Sequence, residues 1–247
     1  MNDRKLSITH GLILSNIAVF LLAGVLPTVN NLFGIPYPAV NNPDSILFVR
    51  GAYSWYSCFM EGQVWRLISY QFLHAGTFHL IFNMWALYFF GPAAEQVMGP
   101  RRFLAFYLVC GVAGALFSSL VASSGLLGND IVAAGAVSVL SQYTGTPLEL
   151  WQVVPMVGAS AAIYGVLVSV AFMYPHLQVS LIFPPVTMSL RTFALVVLGL
   201  AVATVMTHGN NAGGEAGHLG GIIMSAIIMM IWRQRIISRR SKHDDPL

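Results

Sequence analysis

Four polar residues near the ends of apolar segments carry the functional groups that acyl transfer requires. Ser160 opens one apolar segment, and His218 lies near the start of another. His79 and Asn83, four residues apart, stand at the start of a third. A serine hydroxyl beside an imidazole base is an activated nucleophile, and further hydrogen-bond donors stabilise the oxyanion that forms when a carbonyl is attacked. The four residue types therefore predict nucleophilic acyl transfer if the fold brings them together.

Each of these residues taken alone has a plainer explanation. A lone Ser160 more often bonds to a carbonyl of the preceding turn, and a lone Asn83 joins neighbouring helices. His79 and His218, taken singly, fit histidines at a membrane interface. The functional interpretation depends on whether the elements that carry the four residues place them at one depth.

The composition of the chain predicts that these elements cross a membrane. Its 247 residues are 56% hydrophobic and only 9% charged, whereas a soluble domain has about a quarter charged residues. Six segments approach the ~20 apolar residues that span a bilayer. They are Gly11–Pro27, Leu80–Met98, Phe103–Ser123, Gly158–Tyr174, Leu190–Met206 and Ala216–Trp232. The first is not interpreted as a cleaved signal, because no small-x-small cleavage site stands out after it.

The basic residues predict which ends of the spans face the cytoplasm. With both termini inside, ten lie in cytoplasmic segments: Arg4, Lys5, Arg101, Arg102, Arg191, Arg233, Arg235, Arg239, Arg240 and Lys242. Only Arg50 and Arg66 lie on the opposite side. This bias is the usual signature of membrane orientation. The net charge of +3 therefore needs no nucleic-acid partner, and the basic tail 233–247 is expected to contact anionic headgroups.

In this orientation three of the four polar residues reach a similar depth. The second, fourth and sixth spans all run from outside to inside, and a helix rises 1.5 Å per residue. His79, Ser160 and His218 then each lie within roughly 10 Å of an outer helix end. Small residues accompany them, because His218, Gly221 and Ser225 form one helical stripe. Such faces allow two helices to approach closely, as a hydrogen bond from Ser160 to His218 requires.

The outer loops hold further apolar sequence, and the cysteines carry little information. The first loop, about 28–79, ends in "SWYSCFMEGQVWRLISYQFLHAG" and predicts short helices at the interface. The second, about 124–157, contains "DIVAAGAVSVLSQ", which is too short to span and favours an interfacial or re-entrant helix. Cys58 and Cys110 fall in a loop and in a span, so we expect no disulfide between them. No metal-ligand pattern surrounds either cysteine, and no cofactor is predicted.

The motifs together resemble those of the rhomboid intramembrane serine proteases. "VWRLISYQFLHAGTFHLIFNM" is similar to the family's tryptophan–arginine motif followed by His-x-x-x-Asn. "GASAAIYG" is similar to its Gly-x-Ser-Gly nucleophile motif, and "EAGHLGGIIMSA" to its final-helix histidine. The resemblance covers residues 10 to 232 of a single domain, 1–247. It implies an all-α membrane protein, a bundle of six transmembrane helices with interfacial helices in the first outer loop.

The resemblance also implies a role for individual residues. Ser160 is the expected nucleophile and His218 the general base, a dyad without an obvious third acid. The Ser160 N–H, His79 and Asn83 are the expected oxyanion stabilisers, and Tyr164 is expected beside the histidine. The expected structural positions are Trp65, Arg66, Glu95, Gly158, Gly221 and Ser225. Two positions depart from the family pattern: Ala161 stands where glycine is usual, and Gly217 stands where alanine usually precedes the histidine.

The resulting hypothesis is a serine-type endopeptidase that cleaves peptide bonds in or near the transmembrane segments of membrane protein substrates, and it implies no particular oligomeric state. The resemblance places it in a bacterial inner membrane, with both termini cytoplasmic. The alternative is a proteolytically inactive relative that binds transmembrane helices and controls their traffic or turnover. A transporter is less favoured, because no charged residue lies mid-span to couple an ion.

The charge asymmetry generates a prediction about topology. Reporter fusions after the tail at Lys242 are expected to report the cytoplasm, as are fusions after Arg102, because basic loops are retained inside. A fusion within the 28–44 segment should report the opposite side. A tail fusion that reports the outside would overturn both the topology and the common depth of His79, Ser160 and His218.

Overall fold

The computed structural model describes residues 7–25, 45–126, 147, 149–181, 185–209 and 211–241, which are mostly helical. The helices of this part of the chain are α1 (Ile8–Val25), α2 (Ile46–Gly51), α3 (Arg66–Ser69), α4 (Thr77–Met98), α5 (Pro100–Ser123), α6 (Leu150–Val153), α7 (Ser160–Met173), α8 (Leu190–Met206) and α9 (Ala212–Ser241). A π-helical turn covers Tyr56–Met60, and a 3-10 turn covers Tyr70–Phe72.

The six longest described helices, α1, α4, α5, α7, α8 and α9, follow the order of the six predicted apolar segments. Two of them, Pro100–Ser123 and the Ala212–Arg235 part of α9, are long and apolar enough to cross a membrane. The apolar stretches Ile8–Gly24, Ser160–Met173 and Leu190–Met206 are shorter. The mostly helical fold is thus confirmed, whereas the count of six spans stays a prediction.

The structure contains a short antiparallel hairpin between α7 and α8, and the all-α prediction did not include it. Strand β1 (Gln178–Ser180) pairs with β2 (Thr187–Ser189), with Val179 opposite Met188. The hydroxyls of Ser180 and Thr187 lie 2.9 Å apart across the strands. β-Branched residues and cross-strand hydroxyl pairs favour extended backbone, which explains why this connection is not helical.

In the described part of the first loop, from residue 45 onward, Arg66 fastens short helical segments to one another. Its guanidinium is buried and donates to the backbone carbonyls of Val49, at 2.7 Å, and Ala52, at 2.5 Å. These carbonyls lie at the end of α2, where helix geometry leaves acceptors without intrahelical donors. Trp65 Nε1 donates to the carbonyl of Arg50 at 3.0 Å. The tryptophan–arginine pair therefore closes α2 against α3.

The helix predicted within the second outer loop, at residues 130–142, lies outside the described residues. The described part of that loop contributes α6 and then an extended segment. Met156 in this segment exchanges backbone hydrogen bonds with Tyr53, at 3.0 and 2.7 Å. The first loop is therefore attached to the chain that leads into α7.

Glu95 near the end of α4 caps the start of α1. Its carboxylate accepts from the N–H groups of Ile8, at 2.7 Å, and Thr9, at 2.9 Å, and from the Thr9 hydroxyl at 2.7 Å. The first N–H groups of a helix lack intrahelical acceptors, and negative charge is favourable there. Glu95 thus joins the start of α1 to the far end of α4.

Helix α9 packs against α5 and α7 through residues that have little or no side chain. A methyl group at Gly221 would overlap the backbone carbonyl of Ala161. One turn further, the buried Ser225 hydroxyl donates to the carbonyl of Gly165 at 2.7 Å. A methyl at Gly165 would lie 2.7 Å from Cys110 Sγ of α5. The three backbones therefore approach more closely than ordinary side chains permit.

This packing predicts that Gly221→Val destabilises the fold. The β-branched side chain would collide with a backbone carbonyl, and overpacking of this kind typically costs about 1–3 kcal/mol. The thermal unfolding midpoint in detergent should fall by several degrees, at about 2–4 °C per kcal/mol for a chain of this size. The matched control is Gly199→Val on α8, where no atom lies within 4 Å of an added Cβ. Equal midpoints for the two variants would contradict the close approach of α7 and α9.

Candidate active site

The structure brings Ser160 and His218 into hydrogen-bond contact. Ser160 is the first residue of α7, and His218 lies two turns into α9. Ser160 Oγ is 2.8 Å from His218 Nε2. The backbone contact between Ala161 and Gly221 explains this distance, because these residues adjoin the pair on their own helices. A hydroxyl and an imidazole at this separation are within reach for proton transfer.

The imidazole of His218 is held by two further groups. The ring of Tyr164 stacks on it, with ring centroids 4.0 Å apart and planes inclined by 14°. Tyr164 reaches this position because it follows Ser160 by one helical turn. On the other side, Glu215 Oε2 lies 2.9 Å from His218 Nδ1. Both ring nitrogens and one ring face of His218 are therefore in contact with named groups.

Glu215 was missed in the sequence analysis, which found no obvious acid for the serine–histidine pair. The signal was present, because residues three apart on a helix are neighbours and Glu215 precedes His218 by three. The side chains of His218 and Glu215 are only 10% and 22% exposed. An ion or hydrogen-bond pair in such surroundings is screened less than one at a surface.

His79 lies at the edge of the same site, beside Gly158. Gly158 has φ +125°, a conformation that side chains rarely adopt. A methyl there would lie 2.8 Å from His79 Cε1 and Nε2 and 3.6 Å from Ser160 Oγ. The Ala75 N–H donates to His79 Nδ1 at 3.4 Å, which leaves the proton of a neutral ring on Nε2. That N–H therefore lies on the side of the ring that adjoins Gly158.

Asn83 lies one turn beyond His79 and is joined to its own helix. Its side-chain Nδ2 donates to the backbone carbonyl of His79 at 2.9 Å. The side chain is buried, with 7% exposure. An amide NH₂ carries two N–H groups, and this bond uses one of them. Asn83 thus lies one helical turn from His79, on the C-terminal side. Among the described contacts, Asn83 makes no hydrogen bond to Ser160.

A second histidine, His74, supports His79 and was also missed from sequence. The two rings meet edge to face with centroids 5.0 Å apart. His74 is buried, and neither of its ring nitrogens has a hydrogen-bond partner among the described residues. Burial, with a smaller contribution from His79, lowers the pKa of His74 to about 3. His74 is therefore neutral in the folded protein at physiological pH.

The two departures from the family pattern, Ala161 and Gly217, are accommodated by neighbouring residues. A methyl at Gly114 of α5 would lie 2.5 Å from the Ala161 Cβ, so the alanine methyl occupies space that Gly114 leaves open. A methyl at Gly217 would overlap the end of the Met156 side chain. The side chain of Met156 thus occupies the place that alanine would take at 217.

The remaining predicted residues lie in supporting contacts. Trp65 and Arg66 close the first loop, Glu95 caps α1, and Gly221 and Ser225 join α9 to α7. Within the described part of the chain, no group of three or more His, Cys, Asp or Glu residues could hold a metal ion. The two cysteines are free and buried.

Comparisons with known proteins find matches over most of the chain. A model of the rhomboid domain matches residues 61–235. Rhomboid protease AarA of Providencia stuartii is 27% identical over 228 residues, 92% of this chain and 73% of that protein. RHOMBOID-like protein 7 of Arabidopsis thaliana is 34% identical over 112 residues, 45% of this chain and 34% of that protein.

A relative whose name describes it as inactive matches a shorter region. Inactive RHOMBOID-like protein 8 of Arabidopsis thaliana is 35% identical over 83 residues, 34% of this chain and 24% of that protein. The chain thus spans about a third or less of the length of these two plant relatives.

Proposed function

The chain belongs to the rhomboid family, and from this membership we propose that it is an intramembrane serine protease. It hydrolyses peptide bonds in or near the transmembrane segments of membrane proteins. The observation that carries the proposal is the 2.8 Å contact between Ser160 Oγ and His218 Nε2. The match to Rhomboid protease AarA over 92% of the chain supports proteolysis as the activity.

The first half of the reaction forms an acyl-enzyme. His218 Nε2 takes the proton from Ser160 as Oγ attacks the carbonyl carbon of the scissile peptide bond. The tetrahedral intermediate then collapses, the C–N bond breaks, and His218 returns the proton to the leaving amine. The Tyr164 ring keeps the imidazole in one plane while the proton moves between Ser160 and the leaving group.

The oxyanion forms beside three donors. Ser160 begins α7, so its N–H lacks an intrahelical acceptor and the helix dipole favours negative charge there. The His79 Nε2–H adjoins Gly158, and Asn83 provides an amide one turn away. Removing one such donor typically lowers kcat about 10²–10³-fold. Gly158, which has no side chain, keeps the space between His79 and Ser160 open for the substrate carbonyl.

Water completes the reaction, which accounts for where the site lies along the helices. His218 deprotonates a water molecule that attacks the acyl carbon, and Ser160 Oγ leaves with the proton. Ser160, His79 and His218 all lie near the N-terminal ends of their helices. In the proposed topology of six spans with cytoplasmic termini, these ends face the outer side of a bacterial inner membrane. Water reaches the nucleophile there without crossing the bilayer centre.

A second candidate function is favoured by the match to Inactive RHOMBOID-like protein 8. In that case the chain binds transmembrane helices and controls their traffic or turnover without cleaving them. The two functions differ in whether Ser160 is chemically activated. Retention of both Ser160 and His218 at 2.8 Å favours the protease.

The first test is the reactivity of Ser160. A fluorophosphonate should label the wild-type chain and fail to label Ser160→Ala, because only a serine activated by a base reacts readily. Ser160→Ala should also lose cleavage of a transmembrane substrate in liposomes by several orders of magnitude. Ser169→Ala is the matched control, since this buried α7 serine bonds to the carbonyl of Val166 at 2.7 Å. Cleavage by Ser160→Ala at the wild-type rate would exclude a serine protease with Ser160 as its nucleophile.

The second test separates oxyanion stabilisation from substrate binding. His79→Ala and Asn83→Ala are each expected to lower kcat about 10²–10³-fold with little change in KM, because oxyanion donors act on the transition state. The exposed histidine variant His176→Ala serves as the control and should leave both constants unchanged. A change confined to KM would assign His79 and Asn83 to substrate binding instead.

A further inference from the structure

We propose that Glu215 is a positioning residue for His218, so that the site is a serine–histidine–glutamate triad in which the carboxylate fixes the tautomer and orientation of the base. This inference rests on the proposed protease function. It starts from the 2.9 Å contact between Glu215 Oε2 and His218 Nδ1 and from the 2.8 Å contact on the other ring nitrogen.

The first argument concerns the tautomer of the imidazole. His218 Nε2 accepts the Ser160 proton only if Nε2 is unprotonated, so the proton of the neutral ring must be on Nδ1. An ionised carboxylate is solely an acceptor, and its contact with Nδ1 therefore stabilises the Nδ1–H form. The productive tautomer is selected before the substrate arrives.

The second argument concerns the charge that develops during the reaction. Once His218 has taken the proton from Ser160 it is an imidazolium, and the adjacent carboxylate of Glu215 stabilises that positive charge. Both side chains are mostly buried, at 10% and 22% exposure, so the attraction is screened less than at a surface. The proton stays on the histidine and is then donated to the leaving amine.

The third argument is that the local backbone holds Glu215 in place. Glu215 lies in the first turn of α9, and its N–H donates to the carbonyl of Asn211 at 3.0 Å. Residue 214 is a glycine, and a methyl there would overlap the Asn211 side chain. Because Glu215 and His218 share one helical turn, their separation does not depend on movement between helices. Tyr164 restrains the ring from its face, and Glu215 restrains it in its plane.

A purely structural explanation exists, because an acidic residue in the first turn of a helix stabilises that helix through its dipole. That role requires a negative charge near the helix start but no particular protonation of His218. The two explanations therefore predict different values of kcat for folded protein that lacks the Glu215 carboxylate.

The test compares Glu215→Gln and Glu215→Asp in the full chain, reconstituted in liposomes with a transmembrane substrate. Glutamine preserves size, but its NH₂ can donate to Nδ1 and stabilise the wrong tautomer. We expect kcat to fall at least ~10²-fold, toward the ~10⁴-fold loss that the carboxylate-to-amide change causes in serine proteases with a triad. KM should stay within about twofold, since positioning of the base acts on the chemical step. Aspartate keeps the carboxylate and should restore kcat above the glutamine level.

The matched control is Glu149→Gln, which removes an exposed carboxylate before α6 and should leave kcat unchanged. Thermal unfolding and the fraction of folded protein are measured for every variant. A Glu215→Gln kcat within threefold of wild type would overturn the inference. A loss of kcat that the unfolded fraction fully accounts for, or equal losses in the aspartate and glutamine variants, would also overturn it and assign Glu215 a structural role.

The same assays distinguish this failure from failure of the protease proposal. If the wild type is labelled by fluorophosphonate and cleaves substrate while Glu215→Gln is equally active, only the role of Glu215 is wrong. If the wild type neither reacts nor cleaves, the protease proposal fails and the inference fails with it.

Discussion

The backbone contact between α7 and α9 is the constraint on which the site depends. Gly221 lies against the carbonyl of Ala161, which leaves no room for a side chain between the two helices. Ser160 directly precedes Ala161, and His218 lies one turn before Gly221. The hydrogen bond between the nucleophile and the base therefore has its length set by how closely two backbones pack. A displacement of about 1 Å at such a contact can lower a rate ~10²-fold.

Other contacts support the backbone contact between α7 and α9 by fixing the ends of the remaining helices. Arg66 and Glu95 pair with backbone groups at helix ends, which helix geometry leaves without partners. Ser225 adds a buried hydrogen bond to Gly165 one turn from the glycine contact. In an apolar medium, close packing and such interhelical bonds replace the hydrophobic effect as the source of association. Arg66 and Glu95 thus hold helix ends, whereas Ser225 and the small residues set the distance between helix axes.

The sequence was sufficient to predict that Ser160 and His218 come together, because the apolar segments and the small-residue stripe indicate neighbouring helix ends, and the two side chains lie 2.8 Å apart. The orientation inferred from the charge bias stays a prediction. It was insufficient where a side chain's direction depends on tertiary contacts. Glu215 is three residues from His218, but only the rotamers in the fold show that it reaches Nδ1. The position of His74 beside His79 depends on the path of the 73–76 loop, and the β1–β2 hairpin depends on pairing between strands. These features depend on which residues become neighbours in the folded chain, and the linear sequence does not show that.

Gly114 also constrains which sequences can carry alanine beside the nucleophile. The Ala161 methyl fits because α5 contributes no side chain at that point, since a methyl on Gly114 would lie 2.5 Å from it. Alanine at 114 with glycine at 161 would not fit equally well, because a methyl at 114 would also lie 2.8 Å from the backbone oxygen of Gly217. Alanine at 161 is thus sterically linked to glycine at 114, because the space between α5 and α7 at this point holds one methyl group and Ala161 supplies it. A side chain at 114 would have to displace the helix that carries Ser160 or the helix that carries His218, so a residue of α5 that touches neither side chain limits the distance between them.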